Sequence, residues 1–203
     1  MKIFLFFAEM FAVSLLLYLI FLPAYPALKY RYLVKDKFGD DPQSLEIAKE
    51  TAAQSYSAFP ESEYSVSPNR LIINKIGVNA PIVESASAES GLAKGAWRVP
   101  QGSTPDKGGN TVITGHRFKY LPPNNLTFYL FDKLELGDIA VVIWEKNEYY
   151  YRIKEIKIVP ATELSIQAPS KEPIITMFTC HPIYSTANRL VVVAELIEKK
   201  YDK

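Results

Sequence analysis

Short apolar runs, separated by turn residues, fill the chain from Arg70 onward. They are rich in Val, Ile and Tyr and are bounded by Gly, Pro, Asn or Asp, which is typical of short strands joined by tight turns. The seven runs are RLIINKI, APIVES, NTVITGH, DIAVVIW, YYYRIKEIKIV, PIITMFTC and RLVVVAELIE. This pattern predicts an all-β barrel or sandwich. One helical interruption is predicted in NNLTFYLFDKLELGD, where Phe128, Phe131 and Leu134 share a face.

Alternation along the strands also assigns aromatic side chains to faces. Because successive side chains of a strand point to opposite faces, Tyr150 should lie on the face opposite Tyr149 and Tyr151. The two tryptophans, Trp97 and Trp144, are predicted to lie in the core or at the rim of the β domain.

The N-terminus carries a continuous apolar segment. Residues Ile3 to Leu22 form a run of 20 with a single charge, Glu9. As a helix, this run would span about 30 Å, the thickness of a bilayer core. A cleaved signal peptide is the alternative, but its apolar region would be only about 7–15 residues long. A transmembrane anchor over residues 1–27 is therefore the prediction. The basic residues that follow, at positions 29, 31, 35 and 37, would by the positive-inside rule place the rest of the chain in the cytoplasm.

Residues 28–68 are predicted to be a linker with a short helix. Asp41 can cap a helix that begins with Pro42. The apolar face that follows is weak and consists of Leu45, Ile47, Ala48 and Ala52. The later segment YSAFPESEYSVSPN is rich in Ser, Pro and Glu, which predicts an extended spacer. The strand-like runs then predict one further domain over residues 69–203.

Composition excludes several classes of protein. The net charge of +1 gives no bulk attraction to nucleic acid, so no nucleic-acid partner is predicted. A single cysteine cannot form an intramolecular disulfide. The two histidines and one cysteine include no close ligand pair such as C-x-x-C or H-x-x-x-H. Neither a metal site nor any other cofactor is therefore predicted.

The only cysteine, Cys180, lies where a strand gives way to a loop. A free cysteine is commonly a small buried hydrophobe, but its surroundings here favour a functional thiol. His116 ends another apolar run in VITGHRF, and Arg189 opens the next strand after only eight residues, HPIYSTAN. If the two strands are antiparallel neighbours, Cys180 and Arg189 would oppose each other, with about 4.5–5.5 Å between their Cβ atoms.

Cys180, His116 and Arg189 supply the parts of an acyl-transfer site. A thiol with an ordinary pKa of about 8.5 is mostly protonated at neutral pH, and a neighbouring imidazolium or guanidinium favours the reactive thiolate. Attack on a carbonyl generates an oxyanion that needs a donor, and a histidine can protonate the leaving amine. The three residues are therefore candidate nucleophile, acid/base and charge stabiliser. His181 is predicted to be a loop residue, with tuning of the site as the alternative.

Two motifs resemble the active-site segments of the sortase family. TMFTC at 176–180, followed by Arg189, is similar to the family's T-L-x-T-C motif and the arginine after it, with Met177 in place of the usual Leu. TGHR at 114–117 is similar to the segment that carries the family's catalytic histidine. The exchange of Leu for Met conserves volume and should be tolerated.

The resemblance extends over most of the β-rich region. RLIINKIGVNAPI at 70–82 resembles the family's first strand pair, and GAWRVPQGSTPDKGGNTVITGHR at 95–117 resembles its approach to the histidine. In total the match covers about residues 68–198. It is similar to the class C, D and E group without fixing the class.

The resemblance implies a membrane-anchored cysteine transpeptidase on a closed eight-stranded β-barrel with short helices. Such enzymes cleave a C-terminal sorting motif of the Leu-Pro-x-Thr-Gly (LPxTG) type, hold the acyl product as a thioester and transfer it to an amine. The implied partners are surface proteins or pilins that bear the motif, an acceptor amine on a cell-wall precursor or a pilin lysine, and membrane lipid around the N-terminal helix. The catalytic domain would be extracellular, against the charge bias noted above.

By position, the resemblance assigns catalysis to the cysteine, histidine and arginine already singled out. Thr179 matches the threonine beside the nucleophile. Leu164 and Ile166 lie in the segment where family members recognise the Leu-Pro of the motif. These last three are the predicted substrate-binding residues.

Two other classes of function stay open. One is a different thiol hydrolase, either papain-like or an L,D-transpeptidase. Papain-like enzymes place the cysteine before the histidine, and the L,D-transpeptidase motif is S-H-G-C where this chain has MFTC. The other class is an anchored, non-enzymatic β-domain for binding or scaffolding. A thiol alkylator separates the possibilities, because a buried structural cysteine resists modification and an active-site thiolate does not.

Overall fold

A computed structural model describes residues 2–34, 43–57, 69–119, 126 and 128–201 of the chain. Its strands are β1 Arg70–Ile73, β2 Val78–Glu84, β3 Ala96–Arg98, β4 Asn110–Thr114, β5 Ile139–Trp144, β6 Asn147–Pro160, β7 Ile174–His181 and β8 Asn188–Lys200. They form a closed barrel in the order β1-β2-β3-β4-β7-β8-β6-β5. The β2–β3 and β4–β7 pairs are parallel and the other pairs are antiparallel. The predicted eight-stranded barrel is confirmed.

Helices lie before the barrel and in its connections. The α-helices are α1 Lys2–Lys29, α2 Gln43–Ser57 and α3 Ala88–Leu92, and a π-helical turn, Tyr30–Val34, continues α1. Single 3-10 turns occupy Asn74–Ile76, Phe131–Lys133 and Leu164–Gln167. The expectation of one helical interruption in the β domain is therefore wrong. The short α3 formed because Ser87 caps it, its side chain accepting a hydrogen bond from the Ser90 N–H.

The segment before β5 buries its apolar residues without forming a longer helix. Phe128 and Phe131 are fully buried in the barrel core and Leu134 is nearly so. The two phenyl rings stack with centroids 4.9 Å apart. Spacing by three matches the three-residue repeat of a 3-10 helix, so a single turn is enough to direct these side chains inward.

The three consecutive tyrosines of β6 alternate as the sequence predicts. Tyr149 and Tyr151 lie in the core inside the barrel, whereas Tyr150 is buried in a second cluster on the outer face. Trp144 is also in the core, and Trp97 is half-buried with its indole N–H donating to a main-chain carbonyl.

Helix α2 packs on the barrel rather than spanning a gap. Ala48 and Ala52 are buried against the outer cluster, whose members include Ile72, Val141 and Tyr150. Small side chains on that helical face allow close approach to the sheet. The predicted cap at Asp41 and residues 58–68 of the predicted spacer lie outside the described residues, and the domain boundaries stay predictions.

The N-terminal helix has the length and composition to cross a membrane. Its apolar stretch Ile3–Leu22 contains 20 residues, and none of it is buried by the rest of the chain. A membrane anchor and a signal sequence both fit this finding. Past the end of α1, the Tyr30 hydroxyl donates to the Lys133 carbonyl at 3.2 Å, so the helix end contacts the barrel.

Candidate active site

The thiol and the guanidinium singled out in the sequence lie on adjacent strands. Cys180 is the last but one residue of β7, and the antiparallel pairing of β7 with β8 places it directly opposite Arg189. Both residues are half-buried at the same end of the barrel. Antiparallel neighbours in this position have Cβ atoms about 4.5–5.5 Å apart.

The histidine reaches the same end of the barrel along a third strand. Strand β4 runs parallel to β7, with its last residue, Thr114, opposite Phe178. Gly115 follows, and its N–H donates to the Phe178 carbonyl at 3.4 Å. His116 therefore emerges beside the part of β7 that carries Cys180. The barrel thus collects the three predicted catalytic residues from β4, β7 and β8.

Two threonine hydroxyls join β4 and β7 at this end. Thr114 Oγ1 donates to the Phe178 carbonyl, and Thr179 Oγ1 donates to the Gly115 carbonyl, each at 2.8 Å. Both side chains are buried. The second bond joins Thr179, the residue before Cys180, to Gly115, the residue before His116, so it fixes these two segments relative to each other.

Thr179 consequently differs from its predicted role. It is 1% exposed and its hydroxyl is engaged with the main chain, so it is poorly placed to contact a substrate. Its contribution in this structure is to position the loop that carries His116. The resemblance to a sequence motif could identify the position but not the partner of its hydroxyl.

Packing behind the histidine leaves no room for a side chain at Gly115. A Cβ added there would lie 2.7 Å from the Phe128 ring. The Phe128 N–H donates to the His116 carbonyl at 2.8 Å. A buried aromatic residue therefore holds the histidine's own backbone, which limits where its imidazole can go.

The imidazole of His116 is partly withdrawn from water. This burial, with a smaller contribution from the positive charge of Lys119, lowers the pKa of His116 below its ordinary value. At neutral pH the side chain is therefore mainly the neutral imidazole. A neutral imidazole can accept a proton from an incoming amine.

The guanidinium of Arg189 bonds to main-chain carbonyls near the end of the β7–β8 loop. Its Nη1 donates to Thr186 at 2.9 Å and to Asn188 at 3.0 Å. An arginine on this strand could also have formed a surface ion pair with a carboxylate such as Glu195. Glu195 instead pairs with Lys154 at 3.7 Å, six residues further along β8. Arg189 is thereby oriented at the Cys180 end of the strand.

The other two predicted substrate-binding residues lie on the β6–β7 connection. Leu164 is 69% exposed, whereas Ile166 is 9% exposed and packs against Val191 and Val193 of β8. Only Leu164 of this pair presents an apolar surface to solvent. Asn110, which the sequence did not single out, fixes the connection by donating from Nδ2 to the Ala168 carbonyl at 2.9 Å.

Two further groups near the thiol were missed or left open by the sequence. Arg117 is buried and its Nη2 pairs with Asp132 Oδ1 at 2.6 Å. Only its place in the TGHR segment could have drawn attention to it. His181 ends β7 opposite Asn188, and its buried Nδ1 has no hydrogen-bond partner in the part of the chain that the structure describes. Within those same residues, no three His, Cys, Asp or Glu side chains are grouped as metal ligands would be.

Residues 71–197 of the chain match the protein family described as "Sortase domain". Among curated proteins, the chain is 33% identical to sortase D of Bacillus subtilis (strain 168) over 121 residues, 58% of this chain and 56% of that protein. It is 31% identical to sortase SrtE1 of Streptomyces coelicolor over 147 residues, 64% of this chain and 40% of that protein. The chain thus spans about half the length of the curated relatives it matches.

A solved structure shows the same architecture. Group B Streptococcus pilus island 1 sortase C2 superposes with a TM-score of 0.58 at 31% sequence identity. The superposition covers 65% of this chain and 74% of that one. The β-barrel that carries Cys180, His116 and Arg189 is therefore shared with this structure.

Proposed function

The chain belongs to the sortase family, and on that premise we propose that it is a membrane-anchored cysteine transpeptidase. Its substrate would be a C-terminal sorting motif of the LPxTG type, and its acceptor an amine. The observation that carries this proposal is the register of three strands. Cys180 on β7 lies opposite Arg189 on β8, and His116 follows β4, the strand on the other side of β7.

Catalysis would begin with the Cys180 thiolate attacking the carbonyl carbon of the motif's threonine. The carbon–sulfur bond forms while the carbonyl electrons move to oxygen, which becomes an oxyanion. Arg189 is proposed to donate to that oxyanion from the adjacent strand. Its bonds to Thr186 and Asn188 use Nη1, which leaves Nη2 and Nε to face the reacting group.

Collapse of the tetrahedral adduct would break the bond between threonine and glycine. The fraction of His116 that is protonated gives its proton to the departing amine, and a thioester to Cys180 remains. An acceptor amine then attacks the thioester, and neutral His116 takes the amine's proton as the new amide bond forms. The lowered pKa of His116 favours this second half-reaction at neutral pH, because the neutral form predominates.

The acceptor class is proposed from the relatives. The structurally similar sortase C2 comes from a pilus island, which favours a pilin lysine, while a cell-wall precursor is the other acceptor amine. On the donor side, exposed Leu164 on the β6–β7 connection would contact the apolar Leu-Pro of the motif. Buried Ile166 would support that connection from beneath.

The N-terminal helix is proposed to anchor the barrel outside the cell membrane. The helix is long and apolar enough to span a bilayer, and sorting substrates are met on the outer face. The basic residues after the helix favour the opposite orientation. Protease added to intact cells should digest the barrel, whereas complete protection would show that the charge bias decides the topology.

A peptide library tests the catalytic proposal. The full chain in detergent is incubated with five-residue sorting peptides and a small amine, and the transpeptidation products are identified by mass spectrometry. We expect cleavage between threonine and glycine by the parent chain and no product from Cys180→Ala. Product from Cys180→Ala would exclude the nucleophile assignment.

Arg189 variants test the oxyanion role in the same assay. Lysine keeps the charge but loses the planar fork of donors, so Arg189→Lys and Arg189→Ala should both lose kcat. The expected loss is about 10²–10³-fold, the usual cost of a missing oxyanion donor. A change in KM alone would indicate ground-state binding instead. Arg152, exposed on β6, provides the matched control Arg152→Lys, for which kcat should not change.

A further inference from the structure

Arg117 is an arginine buried beside the proposed active site. The residue is only 5% exposed. Its Nη2 pairs with Asp132 Oδ1 at 2.6 Å, but its Nε and Nη1 are buried without a hydrogen-bond partner among the described residues. A buried guanidinium with two unpaired nitrogens is costly to the fold, so a functional reason for this arrangement is worth seeking.

The location of Arg117 connects it to the nucleophile. It follows His116, on the segment that the Thr179 hydroxyl joins to β7. Burial lowers the pKa of Arg117, and the negative charges of Asp132 and of a thiolate at Cys180 act against that effect. The guanidinium of Arg117 is thus within electrostatic range of the Cys180 side chain.

Asp132 neutralises this cation only in part. Its side chain is 36% exposed and also pairs with Lys133 at 2.8 Å, so water and a second cation share its charge. The guanidinium of Arg117, by contrast, is almost wholly buried away from water. The Arg117–Asp132 pair therefore keeps part of its positive charge in the buried region.

We propose that Arg117, held in place by Asp132, is a second cationic positioning residue of this site and stabilises the thiolate form of Cys180. The catalytic consequence of this role rests on the proposed function, but the effect on the thiol does not. Arg189 would then serve mainly the oxyanion, and Arg117 the resting nucleophile. The alternative is that the Arg117–Asp132 ion pair only holds the segment after β4 against the segment before β5 and has no effect on the thiol.

The electrostatic role predicts shifts of opposite sign in two variants. Removing the cation in Arg117→Gln should raise the pKa of the Cys180 thiol. Removing the anion in Asp132→Asn should lower it, because the guanidinium is then less neutralised. If the ion pair were only structural, both variants should shift the thiol pKa in the same direction or not at all. Among the residues that the structure describes, the other charged or titratable groups around the thiol and Arg117 are Arg189 on β8, His181 on β7, His116 and Lys119 after β4, Tyr129 and Lys133 before β5, and Tyr184 in the β7–β8 loop.

Alkylation measures the thiol directly, because the chain has one cysteine. The rate of reaction of the full chain with iodoacetamide is recorded against pH in detergent. For Arg117→Gln we expect the midpoint to rise by about one pH unit, the low end for loss of a nearby opposite charge, and the rate at pH 7 to fall about tenfold. For Asp132→Asn we expect a smaller downward shift. Arg117→Lys keeps the charge and should stay near the parent midpoint.

A matched pair elsewhere on the barrel controls for general effects. Arg98 on β3 pairs with Glu84 on β2, and Arg98→Gln and Glu84→Gln should leave the midpoint unchanged. Shifts of the same sign in Arg117→Gln and Asp132→Asn, or no shift in either, would overturn the proposal. If Arg117→Gln does not fold, Asp132→Asn alone tests the proposal: a lowered midpoint supports it, and a raised or unchanged midpoint overturns it. If the parent chain catalyses transpeptidation but the alkylation midpoint does not shift in these variants, the proposed function stands. Only the proposed role of Arg117 is then excluded.

Discussion

Thr179→Val removes the hydroxyl that ties the nucleophile strand to the histidine loop. The Thr179 side chain is almost wholly buried and its Oγ1 lies 2.8 Å from the Gly115 carbonyl oxygen. Valine has the same shape, so packing is kept and the buried carbonyl loses its partner. Leaving a buried acceptor unsatisfied costs about 1–3 kcal/mol. We expect the free energy of unfolding to fall by about that amount.

The same substitution should reduce catalysis more than binding. Release of the Gly115 carbonyl frees the segment that leads directly into His116, and a misplacement of about 1 Å can cost about 10²-fold in rate. We therefore expect kcat for a sorting peptide to fall at least about tenfold with little change in KM. Thr179→Ser retains the hydroxyl and should recover most of the rate.

Thr111→Val is the matched control on the neighbouring strand. Thr111 is as deeply buried on β4, but its Oγ1 has no hydrogen-bond partner among the described residues. Removing this hydroxyl should leave stability unchanged or raise it. Urea unfolding is followed by the fluorescence of Trp97 and Trp144, which both lie in the barrel. Equal stability and kcat in Thr179→Val and the parent would refute the positioning role of the threonine.

Three further predictions concern stability and pH. Lys75→Met should cost about 3–5 kcal/mol in urea unfolding, because it leaves the carboxylate of Asp138 buried without its cation; Lys49→Met, which breaks a more exposed pair, should cost at most about 1 kcal/mol. Gly115→Ala should lower both the unfolding midpoint and kcat, since its methyl group would overlap a buried phenyl ring, and an unchanged midpoint would contradict this packing. The pKa of His116 is lower in the folded chain than in the unfolded chain, so protonation of this histidine favours unfolding. The stability that comes from keeping His116 neutral is therefore complete above about pH 6.5 and is lost as the pH falls through the lowered pKa. His116→Asn should therefore lose less stability than the parent between pH 7.5 and pH 5, and an equal loss would disprove the shift.

The sequence predicted those parts of the fold that depend on local pattern. Period-two alternation was sufficient to place Tyr150 on the face opposite its two neighbours, and the structure shows that its face is the outer one. The short spacing between Cys180 and Arg189 similarly predicted their opposition, because eight residues allow the chain to turn back on itself.

Features that depend on distant register could not be predicted in this way. The hydroxyl bond from Thr179 to Gly115 joins residues 64 positions apart across a parallel strand pair, and no local signal encodes that register. The Arg117–Asp132 pair and the bond from Asn110 to the β6–β7 connection also join residues that are distant in sequence, so the local pattern could not predict them. The narrow apolar face of helix α2 predicts a linker helix, whereas its small alanines are what a close helix–sheet contact requires.

The most direct test of the proposed mechanism is detection of the covalent intermediate on Cys180. The full chain is mixed with a sorting peptide in the absence of an acceptor amine, quenched in acid and weighed intact by mass spectrometry. The proposed mechanism predicts an added mass equal to the peptide up to its threonine, less water. That mass should map to the peptide containing Cys180, be released by hydroxylamine and be absent in Cys180→Ala. Cleavage of the sorting peptide without any adduct on Cys180, or an adduct on another residue, would contradict it.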